Sequence, residues 1–353
     1  MKSSIKLLLV FLALVVLIVK CQQVSSSSGS WGSSDDSSSQ PPTPYPTWTS
    51  KPTSNPAPTS TPSPNSAPNT LWGIFSLNLF HSYNITKYSF STNTTEYYPI
   101  PKDVRTPYTI LQVNDTSVIM VVGDYFSMNI VFMDLETSRY DYLQTMQYNT
   151  EIITFYSVSF GYDETSNTLY NIGYVSNNVS ILIWNFETQE FSSISINGEA
   201  FGSVNGLYNA NTNIFFANLY NNTNFQPVIY TIATFRSGTQ AAYPITNLQP
   251  GAFNFLSQTS DNSLYGISDN DGYIMVYKLD LNNGQGTLYY HNNNFLFNNA
   301  PFTFNQFIIF CKTEPNYLDN SITLLNTHNG VTKTITIGSL PNYGYGNFFI
   351  ASE

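Results

Sequence analysis

From Leu71 onward the chain is a succession of short apolar stretches rich in Tyr, Phe, Ile and Val, separated by turns rich in Asn and Gly. Aromatic and β-branched residues bounded by such turn formers suit pleated, half-buried strands. No segment carries the apolar spacing of an amphipathic helix, so the pattern predicts an all-β domain. Two landmarks recur. The first reads apolar, any, apolar, any, Thr, as in Met133-Asp134-Leu135-Glu136-Thr137 and Trp184-Asn185-Phe186-Glu187-Thr188. Its central residue returns as Phe90, Leu135, Phe186, Ile232, Leu279 and Leu325, at spacings of 45, 51, 46, 47 and 46. The Thr two places on is Thr92, Thr137, Thr188, Thr234 and Thr327, with Leu281 in the fifth copy. Upstream of each copy lies a second apolar run: Leu71-Trp72-Gly73-Ile74, Val118-Ile119-Met120-Val121, Leu169-Tyr170-Asn171-Ile172, Ile214-Phe215-Phe216-Ala217, Leu264-Tyr265-Gly266-Ile267 and Phe307-Ile308-Ile309-Phe310.

Two landmarks that keep step through six copies define a repeat of about 47 residues, the length of one four-stranded propeller blade. A solenoid repeat is shorter, and a sandwich has no reason for even spacing. Within each unit we expect an innermost strand a, the second run as strand b, then strands c and d joined by a turn such as Glu136-Thr137-Ser138. The first copy opens at strand b. The last is followed by a surplus segment, Tyr343-Gly344-Tyr345-Gly346-Asn347-Phe348-Phe349-Ile350, patterned like Tyr156-Ser157-Val158-Ser159-Phe160 and Phe253-Asn254-Phe255. As strand a of the first blade it closes the ring and pairs an otherwise open sheet edge. The expected fold is therefore a six-bladed β-propeller closed by a C-terminal strand joining the first blade. Leu264-Tyr265-Gly266-Ile267 and Tyr277-Lys278-Leu279-Asp280 resemble the Leu-Tyr-Gly and Leu-Asp units of many extracellular and periplasmic propellers, a resemblance that covers 71–353 and implies a blade shape rather than a function. The chain lacks the blade-ending Trp-Asp of one subfamily, the Gly-Gly pairs of kelch repeats, the Ser-x-Asp-x-Gly-x-Thr-Trp boxes of sialidases and the Tyr-Trp-Thr-Asp of receptor propellers.

The residues before the propeller change the picture of where it works. Residues 1–21 have a basic start at Lys2 and Lys6, an apolar run from Leu7 to Val19, and small or apolar residues at Val19 and Cys21 that suit a cleavage site. That predicts a secretory signal peptide rather than a signal anchor, since thirteen apolar residues reach only about 20 Å as a helix against a hydrocarbon core of roughly 30 Å. Residues 22–70 hold ten of the nineteen prolines amid runs of Ser and Thr, and are expected to form a disordered, O-glycosylated stalk. We therefore expect a secreted, extracellular protein with no stable membrane span. Loss of Lys2, Lys6 and Lys20 leaves nine basic residues against 22 acidic ones, a net charge of −13, which disfavours nucleic acid. Cys311 remains as a single cysteine in an apolar run, expected to be a buried hydrophobe. Five Asn-x-Ser/Thr sequons, at Asn84, Asn93, Asn114, Asn178 and Asn221, are candidate glycosylation sites where they lie on exposed turns, and the repeat frame maps Asn84, Asn178 and Asn221 to the b–c turns of blades one, three and four.

Candidate chemistry is sparse. By the repeat frame His81 falls near a b–c turn, His291 in the d–a connection after blade five, and His328 in the c–d turn of blade six, so no His-based metal site or catalytic triad is expected. Asp269-Asn270-Asp271-Gly272 resembles part of a calcium loop but lacks the preceding carboxylate and the closing Glu, and reads as a plain turn. No metal or cofactor is expected. Carboxylates on facing loops, such as Asp103, Asp124, Glu151 and Glu199, are the raw material for a secreted hydrolase, glycosidase-like or calcium-dependent, using the central channel. The leading expectation is instead a non-enzymatic recognition, adhesion or matrix module for extracellular carbohydrate or protein, with a purely structural coat protein as a third reading. Its d–a and b–c loops supply Arg105, Tyr108, Asp124, Tyr125, Tyr148, Glu199, Asp269, His291 and Tyr343 as ligand-binding candidates, because rings stack on sugar faces while amides and charges answer hydroxyls and carboxylates.

Overall fold

The computed structural model describes residues 66–76, 82–124, 126–147, 152–155, 159–175, 178–196, 205–209, 212–220, 227–233, 240–246, 253–270, 273–292, 300–312, 320–337 and 346–352. Residues 1–65, with the expected signal peptide and most of the stalk, lie outside this set. Six antiparallel sheets form the ring, each in the strand order a, b, c, d. Blade one comprises β25 (Gly346–Ser352), β1 (Thr70–Ser76), β2 (Tyr83–Ser89) and β3 (Thr94–Pro99). Blade two is β4 (Thr106–Val113), β5 (Ser117–Asp124), β6 (Ser127–Asp134) and β7 (Tyr140–Gln147). In blade three, strand a is split into β8 (Ile152–Phe155) and β9 (Gly161–Asp163), followed by β10 (Thr168–Val175), β11 (Asn178–Asn185) and β12 (Glu190–Ser195). The expected strand Tyr156–Phe160 falls largely between those pieces, and 156–158 lie outside the described residues. Blade four is β13 (Asn205–Asn209), β14 (Ile214–Tyr220), β15 (Pro227–Ala233) and β16 (Gln240–Pro244). Blade five is β17 (Phe255–Gln258), β18 (Leu264–Asn270), β19 (Tyr273–Asp280) and β20 (Gln285–Asn292). Blade six is β21 (Phe302–Phe304), β22 (Phe307–Lys312), β23 (Ser321–Asn326) and β24 (Thr332–Thr336). The a strands of neighbouring blades touch (β4 with β25, β13 with β9 and β17, β21 with β17 and β25), which sets them at the centre of the ring.

Ring closure follows the sequence expectation. β25 pairs antiparallel with β1 from Thr70↔Ser352 to Phe75↔Gly346, so strands from opposite ends of the domain share one sheet. The junction extends beyond the strands, with Asn69 N–H bonded to Ser352 O at 2.9 Å and Trp72 Nε1 to Ser352 Oγ at 3.2 Å.

Strand register refines the repeat. Leu71, Val118, Leu169, Phe215, Leu264 and Ile308 of the b strands pair with Tyr88, Met133, Trp184, Ile232, Leu279 and Leu325 of the c strands. The frame drawn from sequence is therefore one residue early in blades four and six, at Ile214 and Phe307. It is two residues late on strand c of blades one to three, at Phe90, Leu135 and Phe186. A one-residue slip reverses the face of every side chain: Phe215 and Ala217 pack towards blade three and Phe216 towards blade five. In blades two, three, five and six, strand c ends on a short polar side chain that accepts from the turn backbone. Asp134 takes Thr137 N–H at 2.7 Å, Asn185 takes Thr188 N–H at 2.9 Å, Asp280 takes Asn282 N–H at 2.9 Å and Asn326 takes His328 N–H at 2.8 Å. Each of these turns then passes through a left-handed residue: Ser138 (φ 55°), Gln189 (59°), Gly284 (63°) or Gly330 (72°).

Every buried cluster straddles two adjacent blades. Trp72, Ile74 and Ile85 of blade one meet Val118, Met120 and Val131 of blade two, and Val121, Met128 and Ile130 meet Leu169, Leu182 and Trp184 of blade three. Cys311 is fully buried in the cluster between blades six and one, as a free thiol whose pKa is raised by desolvation, in keeping with its expected role as a small hydrophobe. Close packing leaves Gly266 under the ring of Phe253, whose atoms lie 2.7 Å from the place a Cβ would take. Gly266→Ala is expected to cost about 1–3 kcal/mol through overpacking, read as a lower urea midpoint with unchanged slope. Removing residues 346–353 is expected to abolish cooperative unfolding; a truncated chain that melts like the parent refutes closure as the source of stability.

Candidate functional site

The b–c and d–a connections share one rim of the ring, and there the structure brings three of the expected residues together on blade two. β5 ends at Asp124 and β6 begins at Ser127, so the b–c connection is a two-residue hairpin. Asp124 Oδ1 accepts Phe126 N–H and Ser127 N–H, both at 2.8 Å, and Ser127 O–H at 3.1 Å. Such an Asx turn closes the hairpin without demanding a glycine at its tip. The other oxygen, Oδ2, lies 3.2 Å from Nη1 of Arg105, which arrives on the d–a connection from β3 to β4. Tyr108, near the start of β4, donates to Gly123 O at 3.3 Å and stacks on Phe160 with ring centroids 6.1 Å apart. One carboxylate thus fixes both the hairpin and the arginine. At the hairpin tip, Phe126 is 68 % exposed, the most exposed of the large apolar side chains described.

Desolvation raises the Asp124 pKa, but hydrogen bonds from Phe126 and Ser127 and the Arg105 charge outweigh it, so the carboxyl lies below its ordinary value. A carboxyl held ionised in this way has no proton to give near neutral pH. Asp103, on the same connection as Arg105, accepts the Tyr140 hydroxyl at 2.5 Å; that bond, with burial and the carboxylate charge, pushes the Tyr140 pKa up to about 12.

The remaining candidates do not join this group. Asp269 stands near the end of β18 on blade five, its N–H facing Asn254 Oδ1 at 3.4 Å. His291 is within β20, opposite Met275, and exposed; it sits on the outermost strand rather than on a d–a connection, because β20 runs longer than the repeat frame allows. His328 lies in the c–d turn of blade six as expected. Tyr125, Tyr148, Glu151, Glu199, Tyr343, His81, Asp271 and Gly272 lie outside the described residues. Among the described residues no three His, Cys, Asp or Glu side chains converge on a point that suits a metal ion, and no helix is long and apolar enough to cross a membrane. Sequence reasoning passed over Phe126, whose signal is its position between two residues that fix a hairpin.

The sequons divide by exposure. Asn93 and Asn114 are exposed on c–d and a–b turns, and their Oδ1 atoms are the ones engaged, by Tyr88 O–H at 2.9 Å and by Ser117 N–H at 2.8 Å, which leaves Nδ2 for a glycan. Asn178 is exposed at the first position of β11. Asn84 was expected on the b–c turn of blade one, but it is the second residue of β2, 8 % exposed, with Thr86 of the same sequon fully buried. Asn221 lies outside the described residues.

No family model matches the chain, and no curated protein matches it significantly. Solved structures do share its fold. TolB from Acinetobacter baumannii aligns with a TM-score of 0.53 at 11 % identity, over 80 % of this chain and 66 % of TolB, so the chain spans just under two thirds of that protein. A chain from a nidogen/laminin complex aligns with a TM-score of 0.51 at 10 % identity, over 80 % of this chain and 99 % of the other. At these identities the likeness is one of fold.

The Asp124 contacts generate a pH signature. A depressed folded-state pKa contributes stability that is present above the unfolded value and is lost as pH falls through the folded one. Asp124→Asn keeps the acceptor for the hairpin and removes the charge. Because both ionic partners are well exposed, it is expected to cost less than about 1 kcal/mol at pH 7, a difference from the parent that vanishes in acid below the Asp124 pKa. Urea titrations of both proteins across pH measure it.

Proposed function

We propose that this chain is a secreted, non-catalytic recognition propeller whose partner, an extracellular macromolecule, docks on the rim of blade two. The observation that carries the reading is Phe126, an exposed aromatic ring beside the Arg105–Asp124 pair, its backbone N–H bonded to Asp124 Oδ1. Aromatic and arginine anchors of this kind dominate binding energy at protein interfaces, and a pre-formed turn avoids the entropy cost of ordering a loop. The ionised state of Asp124 and the engagement of Asp103 by Tyr140 favour binding over acid–base chemistry at this rim. The apolar N-terminal run and the exposed sequons support passage through a secretory pathway. The fold also recurs in a chain of a nidogen/laminin complex, so a sheet ring of this kind is compatible with binding a protein partner.

The full chain, screened against an array of extracellular proteins and glycans, is expected to yield a saturable partner. Phe126→Ala and Arg105→Ala are each expected to weaken that partner about 10-fold or more, with the melting temperature within about 2 °C of the parent. Binding that survives both changes overturns the placement. Expression in a secreting eukaryotic host tests the sequons: Asn93→Gln, Asn114→Gln and Asn178→Gln are expected to increase gel mobility, whereas Asn84→Gln leaves it unchanged. A shift from Asn84→Gln alone contradicts the assignment.

A further inference from the structure

The opposite face of the ring, made by the a–b and c–d turns, holds a cavity of about 300 Å³ where the ends of β13, β17 and β21 come together, so that blades four, five and six all contribute to it. Its wall is built, with amides tied across blades. Asn209, 6 % exposed, donates through Nδ2 to Gln258 Oε1 at 2.7 Å and to Asn262 Oδ1 at 3.3 Å, while its own Oδ1 accepts Thr212 N–H at 3.1 Å. Gln258 Nε2 in turn donates to Asn262 O at 3.2 Å. Ser260 N–H reaches Asn305 O at 2.9 Å in the next blade, and Asn305 Nδ2 reaches Ser66 O at 3.4 Å. Asn262 and Asn305 both hold left-handed backbone, with φ of 64° and 53°, a conformation asparagine accepts more readily than most residues.

What this wall leaves open decides the ligand. Ser260, Asn262, Thr303 and Asn305 line the cavity, and Asn262 Nδ2, Ser260 Oγ, Thr303 Oγ1 and Asn305 Oδ1 make no hydrogen bond within the described residues. They supply donors and acceptors in a small space, all uncharged: the lining has no carboxylate, amine or imidazole. Leu207 and Tyr208 add apolar surface, and the Tyr208 ring is fixed by stacking on Tyr170 at 4.6 Å and by its hydroxyl bond to Asn213 Oδ1 at 2.8 Å. A neutral polyol with one apolar face answers that combination. The size is at the small end for ligand pockets, enough for roughly one or two hexose rings. A chain of net charge −10 repels sulfated or uronic sugars, and Asp261 lies between two lining residues.

We propose that this cavity is a binding site for a neutral saccharide, separate from the blade-two rim on the other face. The test uses the full chain with methyl α-mannoside, methyl β-glucoside, methyl β-galactoside, N-acetylglucosamine and glucuronate as probes, followed by saturation-transfer NMR and calorimetry. At least one neutral sugar is expected to bind with a dissociation constant of about 1–10 mM, and glucuronate at least about 10-fold more weakly. Thr303→Val keeps the shape and Ser260→Ala removes an exposed hydroxyl; together they are expected to weaken the neutral sugar about 10-fold or more with unchanged melting. Arg105→Ala and Phe126→Ala are expected to leave it untouched, so failure here and failure of the blade-two reading are distinguishable. No saturable binding of a neutral sugar up to about 100 mM, equal affinity for glucuronate, or parent-like affinity in the double variant overturns the proposal.

Discussion

The structure rests on the fact that no blade owns a core. Each of the six buried clusters lies between two neighbours, so a sheet is apolar on both faces and neither face is covered until the adjoining blade is present. Burying a Leu, Ile or Phe contributes about 1.5–3 kcal/mol, and the cluster between blades six and one contains Leu71, Phe75, Ile309, Ile322 and Phe348. β25 completes that interface by bringing Phe348 and Ala351 to the sheet of β1, beside Leu71, Phe75 and Tyr88. The ring is accordingly one cooperative unit, and Cys311, at its last seam, is shielded by the same packing that shields its apolar neighbours.

Burial on both faces also explains how much of the fold was legible in the sequence. Six copies were visible because each b strand must satisfy two neighbours, which enriches it in apolar residues whatever else varies. The register was not visible in blades four and six for the same reason: Phe215-Phe216 and Ile308-Ile309 are continuous apolar runs in which the alternation that reveals a face is lost. On strand c the frame slipped by two, a shift that preserves the facing, and Leu135 and Phe186 are buried just past the strand where Met133 and Trp184 are buried within it. The site was legible in part. Arg105, Tyr108 and Asp124 come together because the start of β4 lies beside the end of β5, neighbours in an order the repeat fixes. His291 was misplaced by a strand longer than the average unit, and Asn84 by a strand c that begins earlier than expected.

The two faces are built by different means. On the face of the a–b and c–d turns, short hairpins are tied by Asn, Asp and Tyr side chains. Tyr88, Tyr162 and Tyr208 each donate to an asparagine five residues on, Asn93, Asn167 and Asn213, all three with left-handed backbone. Amide-rich composition, easily read as turn filler, is here the material of a stiff polar surface, and the cavity of blades four to six is continuous with it. Its residues come from three separate repeats, which is why no local motif announced it. On the other face a single carboxylate, Asp124, organises the hairpin that displays Phe126.

Closure by β25 has a consequence for how the protein is made. A ribosome delivers β1 before any other strand of the ring and β25 only after the other five blades. Throughout translation, therefore, the edge of β1 that β25 will cover has no partner strand. A chaperone that recognises extended backbone has a target for that whole interval and loses it when the final strand docks. Chains cut short by a premature stop would never lose it, so the same pairing that seals the ring also marks a finished molecule.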